Sequence, residues 1–75
     1  MNSAELQQLL AAAFPDAKIQ VASPDEVHFS ARIVAAEFSN CSRVARHQSV
    51  YQALGERMGG EIHALSLETL APDEV

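Results

Sequence analysis

The chain has 75 residues, of which 48% are hydrophobic, and its formal net charge is −5. This length allows one domain, predicted over residues 1–75, and leaves little scaffold for a large catalytic cavity. The acidic balance disfavours nucleic acids and anionic membranes, because phosphate contacts need Lys and Arg, and the chain has only five of them. A single cysteine excludes an internal disulfide, and no segment has the roughly 18 apolar residues that span a membrane. We therefore expect a cytoplasmic protein.

The first half of the chain predicts a helix followed by two strands. Asn2 begins a capping box, leucines follow at helical spacing, and Pro15 ends the helix. Residues 18–21 and 27–34 alternate apolar and polar side chains, which is typical of strands with one buried face. The turn residues around Pro24 lie between these strands and favour a hairpin.

The second half predicts a long helix and a third strand. Ser42 is a suitable N-cap, and Gly59-Gly60 is expected to end the helix, although a short helical turn before a longer helix fits the same residues. The predicted buried face of the helix comprises Val44, His47, Val50, Tyr51, Leu54 and Met58. Residues 62–69 form the third strand. The order α-β-β-α-(α)-β predicts a two-layer α+β domain, with helices on one face of a three-stranded sheet.

Two histidines open predicted strands, and a third lies within the helix. His63 follows the glycine break, a position where an imidazole can face solvent or a metal. Periodicity alone favours the alternative, in which the ring caps the strand by bonding a backbone group, since single histidines are more often structural than ligands. For His28 an ordinary edge residue and a ligand beside His63 both stay open, because adjacent strands bring side chains together. His47 lies on the predicted buried face, which favours a backbone-bonded histidine over a ligand.

One cysteine and two arginines surround the start of the predicted helix. Cys41 could be a cluster ligand or a redox-sensitive thiol, and it could equally be a small turn residue. The sequence favours the turn residue, because the Cys-x5-His spacing to His47 is no recognised metal spacing. Arg43 and Arg46 lie three residues apart and fit either a surface for an acidic partner or phosphate, or an ordinary solvated face. The chain has no Gly-x-x-Gly loop for clamping RNA and no Ser/His/Asp set, so no enzyme is indicated.

Taken in order, several segments resemble the BolA-like family. They are HF at residues 28–29, Phe38, SRV at 42–44, RHQ at 46–48, VY at 50–51, HALSL at 63–67 and LAPDE at 70–74. The resemblance covers nearly the whole chain and is strongest to the short-loop bacterial type, in which a histidine precedes the phenylalanine. It implies a fold like the class II KH domain, with the first two strands antiparallel and the third parallel to the second.

The resemblance also implies a function. Family members take part in iron–sulfur cluster handling beside monothiol glutaredoxins, and some bacterial members are linked to transcription and acid stress. His63 matches the family's ligand position, so it is expected to bind a shared 2Fe–2S cluster, with His28 or no clear residue as the second ligand. The partner is expected to supply its cysteine and a glutathione thiol.

The expected protein is therefore a non-enzymatic adaptor, either monomeric alone or a weak homodimer. One alternative is a nucleic-acid-binding transcriptional regulator that uses the helix of residues 42–58, with Arg43 and Arg46 on phosphates. Another is a small interaction module without a cofactor.

Overall fold

The computed structural model describes residues 1–75. Its helices and strands are α1 (Ser3–Ala13), β1 (Lys18–Ala22), β2 (His28–Val34), α2 (Arg43–Leu54) and β3 (Ala64–Leu70). Three 3-10 turns span Ala36–Phe38, Gly55–Arg57 and Pro72–Glu74. The predicted order is confirmed, with a 3-10 turn after α2 in place of the optional second helix. Neither α-helix has the length and apolar character needed to cross a membrane.

The sheet is mixed, with β2 in the middle. β1 pairs antiparallel with β2, and β3 pairs parallel with β2, in the order β1-β2-β3. The parallel pair needs a crossover, which α2 provides. The register places His28 of β2 opposite Ala64 of β3, so the two strands start side by side at one end of the sheet. The α+β class and both strand directions are confirmed, while the likeness to the class II KH domain stays a prediction.

Both helices cover the same face of the sheet. Alternate residues of β2 point into the core, and the side chains between them, such as Ser30, are exposed together with Ser66 on β3. The core cluster consists of Leu6, Leu10, Phe14, Phe29, Ala31, Ile33, Ala35, Phe38, Val50, Leu54 and Ile62. The domain therefore has two layers, with one face of the sheet open to solvent.

The start of α1 is capped twice. As predicted, the Asn2 side chain accepts a hydrogen bond from the backbone N–H of Glu5 at 2.9 Å. The Glu26 carboxylate, from the loop between β1 and β2, accepts hydrogen bonds from the N–H and hydroxyl of Ser3 at 2.6 and 3.0 Å. A negative group suits this position because the helix dipole is positive there. The short β1–β2 loop is thereby tied to the first turn of α1.

The end of α2 differs from the prediction. Ser42 is the N-cap as expected, and its hydroxyl accepts a hydrogen bond from the N–H of Ala45 at 3.1 Å. The helix ends at Leu54, because Gly55 adopts a φ of 58°, which favours glycine. The expected cap at Gly59-Gly60 is wrong: these glycines instead turn the chain toward β3, which begins at Ala64.

The buried face of α2 is also rotated from the prediction. Val50 and Leu54 are buried as expected, but Val44 is 66% exposed and Tyr51 is 40% exposed. The third buried residue of α2 is Arg46, one turn before Val50. Because a buried guanidinium needs hydrogen-bonding partners, this position implies a polar contact that apolar periodicity does not reveal.

Candidate functional site

His28 and His63 lie at the same end of the sheet, which we call the histidine end. His28 is the first residue of β2 and pairs with Ala64, and His63 directly precedes Ala64. Neighbouring strands run about 4.8 Å apart, so the two residues occupy neighbouring positions despite their separation in sequence. The parallel pairing of β2 and β3 thus brings the backbone positions of the two histidines to the same end of the sheet.

His63 has an exposed side chain on a fixed backbone. Ile62 before it is fully buried, and the backbone of Ile62 is bonded to both Gly59 and Arg57, at 2.7 and 2.8 Å. The His63 ring is exposed and makes no hydrogen bond, since the only bonded histidine ring of the chain is that of His28. The backbone-bonded strand cap favoured by periodicity is therefore not formed, and both ring nitrogens are without a partner in the chain.

His28 is exposed too, but one of its ring nitrogens is paired. Nδ1 lies 2.7 Å from Oδ2 of Asp25, and Oδ1 of Asp25 accepts the backbone N–H groups of His28 and Val27 at 2.8 and 2.9 Å. The N–H of His28, its ring and then the N–H of Val27 hold the pKa of the Asp25 carboxyl well below its usual range. Asp25 is thus a fixed anion beside the ring.

The histidine end has the features of an incomplete metal site. An imidazole paired with a carboxylate through one nitrogen is a common arrangement around bound metals, and imidazole is a suitable ligand for iron. His28 and His63 offer two exposed imidazoles, of which only that of His28 is paired with a carboxylate. No group of three or more His, Cys, Asp or Glu side chains in the chain could hold a metal ion. A metal at the histidine end would therefore take its remaining ligands from another molecule.

Cys41 and His47 lie away from the histidine end. Cys41 is exposed just before α2, with its thiol 3.5 Å from the carbonyl oxygen of Glu37. His47 is half-buried on α2 without a hydrogen bond, and its ring meets that of Tyr51 edge-on at a centroid distance of 6.5 Å. The expected backbone bond of His47 is absent. The structure brings neither side chain to the two strand starts.

The two arginines of α2 have different environments. Arg43 is exposed and free of ion pairs, beside a groove that it lines together with His47 and the end of β3. Arg46 is 9% exposed, so the expectation that it shares an open helix face with Arg43 is wrong. It lies beside the Phe38 ring, with 6.0 Å between the guanidinium carbon and the ring centroid. Only Arg43 of the pair is available on the surface.

Arg46 closes the opposite end of the sheet through a set of contacts that we call the arginine clasp. It donates to the carbonyl oxygens of Cys41 and Thr69, each at 3.0 Å, and to both carboxylate oxygens of Glu74 at 2.6 and 2.9 Å. The guanidinium first, and then the N–H of Ala71, lower the pKa of Glu74 to about 2. The same pairing raises the pKa of Arg46. The clasp is a structural feature rather than a binding surface.

Sequence reasoning missed two carboxylates. Asp25 had a local signal, since an acidic turn residue three positions before a histidine is within reach of its ring. Glu74 had no local sequence signal, because its partner Arg46 lies 28 positions away. The first belongs to the histidine end and the second to the arginine clasp.

Comparison with known proteins gives one consistent family. A family model described as BolA-like protein matches residues 10–74. The DNA-binding transcriptional regulator BolA of Haemophilus influenzae is 47% identical over 49 residues, which cover 65% of this chain and 48% of that protein. An uncharacterized protein in the rpoN-murA intergenic region of Acinetobacter guillouiae is 39% identical over 75 residues, covering 99% and 89% of the two chains. The chain spans about half the length of some curated relatives that it matches.

A solved structure gives the same result for the fold. The structure of a BolA protein homologue from Coxiella burnetii has a TM-score of 0.85 to this chain at 34% sequence identity. The match covers 99% of this chain and 95% of that one. The likeness therefore extends over the whole fold, from α1 to the turn that follows β3.

Proposed function

The chain belongs to the BolA-like family, and from this premise we propose that it is a non-enzymatic adaptor in iron–sulfur cluster assembly or trafficking. It shares a 2Fe–2S cluster with a monothiol glutaredoxin, which supplies its cysteine and a glutathione thiol. The observation that carries the proposal is the pair of exposed imidazoles at the histidine end, one of which has no partner within the chain. The cluster is cargo here, held between two proteins before transfer.

His63 is the leading ligand. Its ring nitrogens are unpaired and exposed, while the buried Ile62 fixes the backbone from which it projects. Histidine ligation of one iron in a two-iron cluster has a precedent in Rieske centres. A fixed backbone with a free ring suits a ligand that must meet a second protein without rearrangement.

His28 is the second ligand in this proposal. It lies next to His63 across the β2–β3 pair, and its Nδ1 contact with Asp25 leaves Nε2 open. A shell of two imidazoles on one side and two thiolates on the other would complete a 2Fe–2S cluster between the proteins. The competing arrangement uses His63 alone, and separate substitution of the two histidines distinguishes them.

A mixed shell has a physical consequence. Metal ligands must be deprotonated, and an ordinary imidazole takes up a proton near pH 6.5. Imidazole is a neutral ligand and lacks the charge that binds a thiolate to iron, so we expect acid to displace it more readily and a cluster held partly by imidazole to be more labile toward acid than one held by thiolates alone. This lability suits a protein that passes its cluster on.

The test is reconstitution under anaerobic conditions with a cluster-loaded monothiol glutaredoxin. Visible absorption and circular dichroism are compared for the parent chain, His63→Ala, His28→Ala and the control His47→Ala. We expect loss of the shared-cluster spectrum in His63→Ala, an altered spectrum in His28→Ala and no change in His47→Ala, whose ring lies away from the histidine end. A parent-like spectrum in His63→Ala would overturn the assignment of the leading ligand.

The name of the Haemophilus influenzae relative supports a second candidate function, that of a DNA-binding transcriptional regulator. For this chain the candidate contact is α2 with Arg43 exposed, but Arg46 is committed to the clasp and the net charge is −5. Electrophoretic mobility shift across a salt series, with Arg43→Ala alongside, tests it. A steep loss of affinity with salt would support DNA binding, because each phosphate contact releases counterions. Absence of a shift at low salt would remove this candidate.

A further inference from the structure

We propose that Asp25 is the positioning residue of the histidine end: it holds His28 in the tautomer with the proton on Nδ1, so that Nε2 is the nitrogen presented to a metal. The choice of iron as that metal rests on the proposed function. The tautomer itself does not, and it is measurable in the protein without any metal.

The first step of the argument is that the Asp25 carboxylate is fixed in place. Oδ1 accepts two backbone N–H groups, from Val27 and His28, at 2.9 and 2.8 Å. Two such bonds to one oxygen prevent free rotation of the carboxylate, so Oδ2 stays directed at the ring, 2.7 Å from Nδ1 of His28.

The second step is the identity of the donor. An ionised carboxylate can only accept hydrogen bonds, so the short contact requires a proton on Nδ1. A neutral imidazole has one ring proton, and the lone pair then belongs to Nε2. Metals bind the unprotonated nitrogen, and the group bonded to the other nitrogen determines which one that is.

The third step is that the loop holding Asp25 is anchored on both sides. The Ser23 hydroxyl accepts the N–H of Glu26 at 2.8 Å and donates to the carbonyl oxygen of His28 at 2.5 Å. The Glu26 side chain is bonded to Ser3 at the start of α1. Asp25 is thus held against the start of β2 by contacts that do not involve the His28 ring, which is the arrangement of a preorganised site.

The competing explanation is that Asp25 only stabilises the turn. Its two oxygens separate these roles, because Oδ1 bonds the backbone and Oδ2 bonds the ring. In Asp25→Asn the amide oxygen can keep the backbone contacts, while the amide nitrogen donates toward Nδ1. The variant therefore preserves the turn but favours the opposite tautomer, with the proton on Nε2.

The experiment measures the ring nitrogens of the 15N-labelled apo chain by long-range 1H–15N correlation at pH 8, where an ordinary histidine is neutral. We expect His28 to have its proton on Nδ1 in the parent chain and predominantly on Nε2 in Asp25→Asn. The matched control is Asp16→Asn, which removes the same charge at the opposite end of the sheet, beside Lys18 and Val34. A parent chain protonated at Nε2, or an identical tautomer in Asp25→Asn, would overturn the inference.

A second arm uses Ni²⁺ alone as the probe and follows paramagnetic broadening of the His28 ring signals. Nε2 should be the broadened nitrogen in the parent chain, and Asp25→Asn should bind about 10- to 100-fold more weakly, the usual effect of losing such a partner. Unchanged affinity in Asp25→Asn despite a reversed tautomer would refute the positioning role. Failure of the glutaredoxin mixture to form a shared cluster, with both arms positive, would count against the proposed function and leave this inference standing.

Discussion

The two ends of the β2–β3 pair use polar side chains in opposite ways. At the arginine clasp, Arg46 is 9% exposed and its donors are directed at Glu74 and at the carbonyl oxygens of Cys41 and Thr69. At the histidine end, the His63 ring is exposed and unbonded. Polar groups that are paired inside a protein contribute to its stability, whereas unpaired exposed groups contribute little to it and are free for binding. The comparison assigns a stabilising role to the arginine clasp and leaves the histidine end free for the binding role that we propose for it.

The largest expected effect lies in the core beside the clasp. Phe38 is 2% exposed and packs against the Phe14 ring at a centroid distance of 5.6 Å. Phe38→Ala should cost about 3–5 kcal/mol of unfolding free energy, because it leaves a cavity. Urea denaturation measures this loss. The control Val27→Ala, at the histidine end and 55% exposed, should change stability by less than about 0.5 kcal/mol. Equal losses in the two variants would contradict the division between the ends.

The next largest effect separates the two arginines. Arg46→Ala should lower the melting temperature clearly, because it leaves the Glu74 carboxylate and two carbonyl oxygens without their donor. Arg43→Ala removes the same charge from an exposed position and should leave the melting temperature nearly unchanged. Thermal unfolding followed by circular dichroism measures both. Arg46→Lys should be intermediate, since an ammonium group cannot make the paired contacts to Glu74.

A smaller effect is the response of the clasp to acid. The pKa of Glu74 is about 2 in the folded chain against an ordinary value of 4.5. A lowered folded pKa means that the contribution of Glu74 is complete above about pH 4.5 and is lost as the pH falls toward 2. The difference in melting temperature between the parent chain and Glu74→Gln should therefore narrow over this range. Glu56→Gln is the exposed control, and its difference in melting temperature from the parent chain should not change with pH in this way. A pH-independent difference for Glu74→Gln would argue against the clasp.

The smallest effect on stability should come from the residue with the largest proposed role in binding. His63→Ala should change the unfolding free energy by less than about 0.5 kcal/mol, because the ring is exposed and unbonded. The same urea titration measures it, with Ile62→Ala as a neighbouring control whose side chain is fully buried. A loss in His63→Ala as large as that in Ile62→Ala would show that His63 is structural.

Local patterns predicted most of the fold. Alternation located β1 and β2, and the N-caps at Asn2 and Ser42 marked the helix starts, because these features depend on residues a few positions apart. The orientation of α2 was not predictable in this way. Apolar spacing favoured Val44 and Tyr51 as buried residues, but packing buries Arg46.

The errors have long-range causes. Arg46 can be buried because it pairs with Glu74, which lies 28 positions further along the chain. The periodicity of a single helix cannot reveal a partner so distant in sequence. The end of α2 was predicted at Gly59-Gly60, but the helix ends before Gly55, where Leu54 and Ile62 are both buried in the same core. The positions of the two histidines at strand starts followed from the sequence, while their side-by-side placement came through the resemblance.

The crossover through α2 has one more consequence. His28 and His63 belong to opposite halves of the chain and become neighbours only once β3 has docked beside β2. A metal that bridges both rings thus recognises the native state and, by mass action, protects it against denaturation. If the proposed function is right, a misfolded copy would not place the two imidazoles side by side, so metal binding through both rings would be restricted to the correctly folded chain.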